Sequence, residues 1–232
     1  MGFTIGGSRV VREIRPWGPP GRRPGGARRR GRTATTECTA VAEFTGLWGW
    51  DVVPGARASE GRCSCGEASC AAPGAHPLEF APEVPAGATL DDATRAWAEV
   101  PGATVLLPVG RTFDVLDVAL TAGQHALARL ERMGLPLGPV CATPTGRAQF
   151  FVAPGAAPEL PGLLYRMGWD DAALDLRCLS VGSFVTAPPS DHGGRGPVRW
   201  LRPPSLDTTA TPPQVRLLLG TLAYVCHRSA PV

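Results

Sequence analysis

The stretch Val105-Leu106-Leu107-Pro108-Val109-Gly110-Arg111-Thr112-Phe113-Asp114-Val115-Leu116-Asp117-Val118-Ala119 decides the fold. Two apolar runs rich in Val and Leu flank a Gly-bearing turn, so they read as strands over about 104–108 and 112–119. The second strand carries carboxylates. Side chains two residues apart on a strand point the same way. Asp117 therefore shares a face with Ala119, while Asp114, three residues away, faces the opposite side.

Working outward, residues 36–48 show helical spacing of Val41, Phe44, Leu47 and Trp48, and Gly49 stops the helix. A short strand follows over 50–53. Thr89 with Asp92 forms a capping-box pattern that opens a helix running to about Val100. Residues 123–133 read as an amphipathic helix, and 140–143 with 149–152 as a hairpin around Pro144-Thr145-Gly146. A short helix is expected over 160–167. Strands are expected over 174–177, 184–187 and 198–201, and a closing helix over 211–227. This mixed order predicts an α+β (mixed α/β) domain, with a central mixed or antiparallel sheet flanked by helices.

The 232 residues suffice for one domain and a tail. Residues 1–35 hold nine Arg and one acid, whereas the remainder carries a balance of −5. The Pro-, Gly- and Arg-rich segment within 1–35 has too little apolar surface to offset its ordering entropy, so a basic disordered tail is expected, with the domain spanning 36–232. Such a tail either touches phosphates non-specifically or is only a solvated linker. No apolar run is long enough to span a membrane. The first residues lack the apolar core of an export signal, and the seven Cys are an odd number. A reducing cytoplasm is therefore the expected location.

Four of the thiol and imidazole groups fall close together. Cys63, Cys65, Cys70 and His76 are spaced C-x-C-x4-C-x5-H within the loop 61–78, where Gly61, Gly66, Pro73 and Gly74 supply tight turns. Three thiolates and one imidazole complete a tetrahedral structural zinc site. The alternative is a Cys-rich loop with free thiols or one disulfide. Cys38, Cys141, Cys178 and Cys226 read as small buried hydrophobes.

The carboxylates point to a second chemistry. Polymerase-type reactions use two metal ions about 4 Å apart held by carboxylates. Asp117 has Ala119, not an acid, at the i+2 position. Asp175 on another strand could share a metal with it, or could pair with Arg177 as an ordinary ion pair.

Several short pieces then fall in a recognisable order. They are Gly49-Trp50-Asp51-Val52-Val53-Pro54, the loop ending in Gly74-Ala75-His76-Pro77, Leu107-Pro108-Val109-Gly110, and Phe113-Asp114-Val115-Leu116-Asp117-Val118. Thr143-Pro144-Thr145-Gly146, Leu174-Asp175-Leu176-Arg177, Ala187-Pro188-Pro189-Ser190-Asp191-His192 and finally Trp200 follow. Over about residues 38–202 the chain resembles the bifunctional DNA primase/polymerase domain of the archaeo-eukaryotic primase superfamily. The resemblance implies a site in which Asp117 matches the first metal-binding acid and Ala119 replaces the second. Gln149 stands where a His contacts the incoming nucleotide's phosphates, and Asp175 matches the last acid. It thus implies a degenerate catalytic set of Asp117, Asp175 and Gln149, with Mg²⁺ or Mn²⁺ only if the site is active. It also implies nucleotide or nucleic-acid contacts from Arg147, Arg177, Ser190 and His192, and structural zinc on the Cys/His loop.

Three functions compete. One is an impaired primase/polymerase-like domain, a pseudoenzyme that retains nucleic-acid or nucleotide binding. The second is an active primer-making polymerase with a reduced metal set. The third is a non-catalytic scaffold or regulator. No Walker A sequence is present, so a helicase partner is expected to be a separate protein.

Overall fold

The two apolar runs do form strands, yet they do not pair with each other. The computed structural model describes residues 37–59 and 62–229, and the basic segment 1–35 lies outside them. Within it, β4 (Thr104–Pro108) and β5 (Asp114–Ala119) belong to different sheets. β4 is central to a three-stranded sheet, between β1 (Val53–Gly55) and β9 (Phe184–Thr186). β5 lies in a five-stranded sheet ordered β10-β6-β7-β5-β8, with β6 at Val140–Ala142, β7 at Arg147–Val152, β8 at Leu176–Leu179 and β10 at Arg199–Arg202. The turn between β4 and β5 carries the chain from one sheet to the other. Gly110 makes that turn at φ +94°, and an added Cβ there would meet the Val181 backbone N at 2.3 Å.

All strand pairs are antiparallel, and the fold is mixed α/β as the element order implies. β2 (Ala58–Ser59) and β3 (Arg62–Cys63) form a two-stranded ribbon that opens the Cys loop.

β5 is buried on both faces, with Val115, Leu116 and Val118 in the cores and the acids Asp114 and Asp117 buried beside them. One core joins Val115 and Phe151 of the five-stranded sheet to Val105, Leu107 and Val185 of the three-stranded sheet. Helix α1 (37–46) and α2 (Leu90–Glu99) add Val41, Phe44, Ala93 and Trp97 to it. Its centre is aromatic: Trp50 stacks on Phe151 at 5.5 Å, and Phe113 meets Phe151 at 4.6 Å between centroids. Such pairs add about 0.5–1.5 kcal/mol each beyond their burial. The second core lies on the opposite face. Leu116, Val118 and Phe150 pack there against α3 (Leu120–Arg132) and α6 (Val215–Ser229), with Leu130, Leu218, Leu219 and Leu222 fully buried.

Several boundaries differ from the sequence expectation for physical reasons. β1 begins at Val53, because Trp50 turns into the aromatic core, and its Pro54 is tolerated on an edge strand. α4 (Ala156–Arg166) starts four residues before the expected helix, because the Asp114 carboxylate accepts the Ala156 N–H at 2.8 Å and caps it from another strand. Asp114 thus faces away from Asp117. The closing helix starts at Val215, after Pro212 and Pro213, and a short helix α5 (Leu206–Ala210) precedes them with a Ser205/Thr208 capping box. The capping box of α2 forms as its pattern predicts.

Helix α3 can lie close on β7 because residue 123 is glycine: an added Cβ would sit 2.3 Å from the Ala148 Cβ. Alanine improves helix propensity by about 1 kcal/mol. Overpacking a rigid contact costs about 1–3 kcal/mol. We expect Gly123→Ala to lower the denaturant midpoint with an unchanged slope. A raised midpoint would refute this packing account.

Candidate functional site

A row of side chains crosses the five-stranded sheet on the face of the aromatic core. In register, Trp200 of β10 opposes Cys141 of β6, Cys141 opposes Gln149 of β7, Gln149 opposes Asp117 of β5, and Asp117 opposes Arg177 of β8. One step along, Arg147 opposes Ala119. Asp117 and Gln149, distant in sequence, therefore meet across neighbouring strands, and Arg147 joins Asp175 to them.

The Asp117 side chain is only 4% exposed and is held by donors on both oxygens. Its Oδ1 accepts from Arg147 Nε at 2.7 Å and from an Arg177 terminal nitrogen at 3.0 Å. Its Oδ2 accepts from Gln149 Nε2 at 3.1 Å. Arg147 also donates to the Asp117 carbonyl at 3.2 Å and to Asp175 Oδ2 at 2.6 Å. A guanidinium thus bridges the two acids. The Gln149 carbonyl oxygen accepts from the Cys141 thiol at 3.4 Å, which orients the amide so that its NH₂ faces Asp117.

The electrostatics follow from this geometry. The Arg147 hydrogen bond, with help from the charges of Arg147 and Arg177, holds the Asp175 carboxyl below its ordinary range against partial burial. Burial disfavours the charge of Arg147, but Asp175 and Asp117 outweigh it and its pKa rises. Burial, with the Asp117 charge, pushes the Cys141 thiol up to about 12, so it stays protonated.

A pair of catalytic metal ions needs convergent carboxylates with lone pairs free to coordinate. Both oxygens of Asp117 are engaged by nitrogen donors, Ala119 offers none, and Arg147 lies between Asp117 and Asp175. As arranged, these residues do not fit a two-metal centre.

The loop after β9 supplies His192. Thr186 Oγ1 and His192 Nδ1 lie 2.8 Å apart, and Asp191 ties the loop by accepting the Gly196 N–H at 2.9 Å. Ser190 is buried, and its hydroxyl accepts the Val105 N–H at 2.8 Å, which anchors the loop to β4. Arg195, on the same loop, and Arg177 are exposed.

The ligand atoms of Cys63, Cys65, Cys70 and His76 all lie within 4.8 Å of one another, so the four could hold a metal ion. The donor set is consistent with a closed structural zinc site. His76 Nδ1 is 2.8 Å from the Pro77 carbonyl, which leaves Nε2 directed at Cys63 Sγ, 3.3 Å away. Burial resists ionisation of Cys63, but N–H groups of Cys65 and Gly74, with His76, bring its pKa down to about 6. The cluster abuts the His192 loop: an added Cβ on Gly74 would lie 2.6 Å from the Ala58 N and 3.1 Å from the Gly193 Cα.

Sequence reasoning named the acids, the glutamine and Arg147, but missed the part played by Cys141 and the bridging position of Arg147. The β6–β7 hairpin register sets Cys141 opposite Gln149, and the long-range β5–β7 pairing sets Arg147 opposite Ala119.

Residues 42–215 match the family model of the bifunctional DNA primase/polymerase, N-terminal domain. The match covers most of the chain, which therefore belongs to that family. No curated protein and no solved structure matches it.

The His192 environment makes stability depend on pH. Burial, then the charge of Arg195, lowers its pKa, and Asp191 and Asp117 only partly offset them. The unfolded side chain, near 6.5, takes up a proton first as pH falls. His192 thus contributes stability that is present above about pH 6.5 and is lost as pH falls through the depressed folded value. His192→Gln, which cannot titrate, should unfold with a weaker pH dependence between about pH 5 and 7. An unchanged slope would show that His192 is not the linked group.

Proposed function

We propose that this chain is a primase/polymerase-type domain that retains nucleic-acid or nucleotide binding and has lost most of its nucleotidyl-transfer activity. The occupied carboxylate of Asp117 carries the reading. It supports one buried ion-pair network where two metal ions would need open oxygen ligands. Without those ions, charge building on a transferring phosphoryl group is left uncompensated, at a cost of several kcal/mol. Gln149 is neutral and turned onto Asp117, so it supplies no positive charge to a phosphate.

Binding is supported by charge. The balance of +8 over residues 1–35 beside a body of −5 favours phosphate contact through the basic segment. Beside Asp117, the exposed guanidinium of Arg177 supports contact with an anionic ligand. We assign Asp117, Asp175 and Gln149 to the remnant of the catalytic set. Among the described residues no helix is long and apolar enough to cross a membrane. A reducing cytoplasm suits a thiol-rich metal loop.

Two arms test the reading. Primer synthesis and extension with Mg²⁺ or Mn²⁺, nucleotides and a single-stranded template should be absent or very weak. Robust incorporation abolished by Asp117→Ala would overturn the loss of activity. Binding of random-sequence DNA should weaken as salt rises and fall when residues 1–35 are removed. Affinity and salt slope that ignore the deletion would overturn the role of the basic segment.

We further assign zinc to the Cys63, Cys65, Cys70 and His76 cluster. The loop has few large apolar side chains, so metal is its natural organiser. Elemental analysis should find one zinc per chain. Cys65→Ala should speed amide exchange across residues 62–78 and the adjoining 190–197 loop, with the five-stranded sheet protected as before. Protein without zinc, equally protected in both loops, would dismiss the assignment.

A further inference from the structure

We propose that Arg147 is a built-in substitute for a divalent cation, and that its guanidinium is what closes the Asp117–Asp175 pair to Mg²⁺ and Mn²⁺. It occupies a bridging position, with Nε on Asp117 Oδ1 at 2.7 Å and one terminal nitrogen on Asp175 Oδ2 at 2.6 Å. Its other terminal nitrogen reaches the Asp117 carbonyl at 3.2 Å. Three donor groups thus reach two acids from one planar fork, a geometry open to arginine and not to lysine. The Arg147 side chain is 19% exposed and that of Asp117 4%, so water screens their contact weakly.

Charge closes the site as much as space does. Two acids and two arginines, counting Arg177, sum to zero before any ion arrives. A divalent ion would have to displace a permanently charged group from a buried carboxylate and then sit beside it.

The substitution at residue 119 makes room for this arrangement. Arg147 lies directly across from Ala119, and Asp117 is its diagonal neighbour on β5. Diagonal neighbours lie about 7–8 Å apart, within reach of a long side chain. The methyl of Ala119 lets the arginine run along the sheet to Asp117, where an acid at 119 would meet it first. One residue therefore removes a metal ligand and admits the replacement cation. Restoring Ala119→Asp and Gln149→His would leave the guanidinium in place, so those changes cannot reopen the site without a change at 147.

The inference deepens the reading above at the same site and rests on it only for what the site once held. Failure of DNA binding would sink that reading and leave a metal-binding result standing. The test is Mn²⁺ titration of the full chain, followed by electron paramagnetic resonance of free Mn²⁺. The natural protein should bind no Mn²⁺ that Asp117→Asn removes. Arg147→Ala should gain Mn²⁺ binding at this site, with an affinity at least about tenfold above the detection limit that the natural chain sets, as expected when a like charge is removed at close range. Adding Asp117→Asn should abolish the gain, and Arg147→Lys, which keeps a cation, should show none. Arg147→Gln preserves much of the packing and serves if alanine unfolds the cluster. Mn²⁺ bound at Asp117 in the natural protein would overturn the proposal. So would a folded Arg147→Ala or Arg147→Gln that binds no more tightly.

Discussion

The structure depends on one buried charge. Asp117 sits mid-strand on a face packed against the aromatic core, where an unpaired carboxylate would be costly. It is tolerated because β7 and β8 bring Arg147, Gln149 and Arg177 to it from both sides. A slip of one residue in either pairing would turn those donors to the opposite face and strand the carboxylate. The same slip would carry Phe151 and Leu116 to the wrong cores. Charge compensation and apolar packing therefore demand the same register, and each reinforces the other.

The rest of the site is built on this row. The Cys/His loop touches the His192 loop at Gly74, where there is no space for a Cβ. Ser190 ties the base of the His192 loop to β4, and Asp191 ties its tip. The two loops are thus propped against one another and against the three-stranded sheet. A metal ion in the Cys/His loop would stiffen these loops without entering the Asp117 site.

Family membership defines the scaffold, and the residues at Asp117 define the local geometry. The match spans the sheet, the loops and the aromatic core, so the scaffold of the primase/polymerase domain is intact. Positions 119, 147 and 149 lie together on one sheet face and hold an alanine, an arginine and a glutamine beside Asp117. Arg147 and Gln149 hold Asp117 there in a hydrogen-bonded ion-pair network. Function resides in a site placed on a fold, so family membership by itself does not define the chemistry of this one.

What was legible in the sequence was local. The two apolar runs, the Thr89 capping box, the four candidate metal ligands within one short loop and the separation of Asp117 from Asp114 all follow from residue type and from the period of a strand or helix. What the chain alone left open were events between distant segments. The split of β4 and β5 into different sheets, the capping of α4 by Asp114 and the anchoring of the His192 loop by Ser190 rest on partners that no local pattern names. Arg147 is the clearest case. Read in sequence it was one arginine among many, a phosphate contact at most. Tertiary structure set it between Asp117 and Asp175 because a buried carboxylate takes its counter-charge from whatever the neighbouring strands deliver, and strand pairing across distant segments decides what that is.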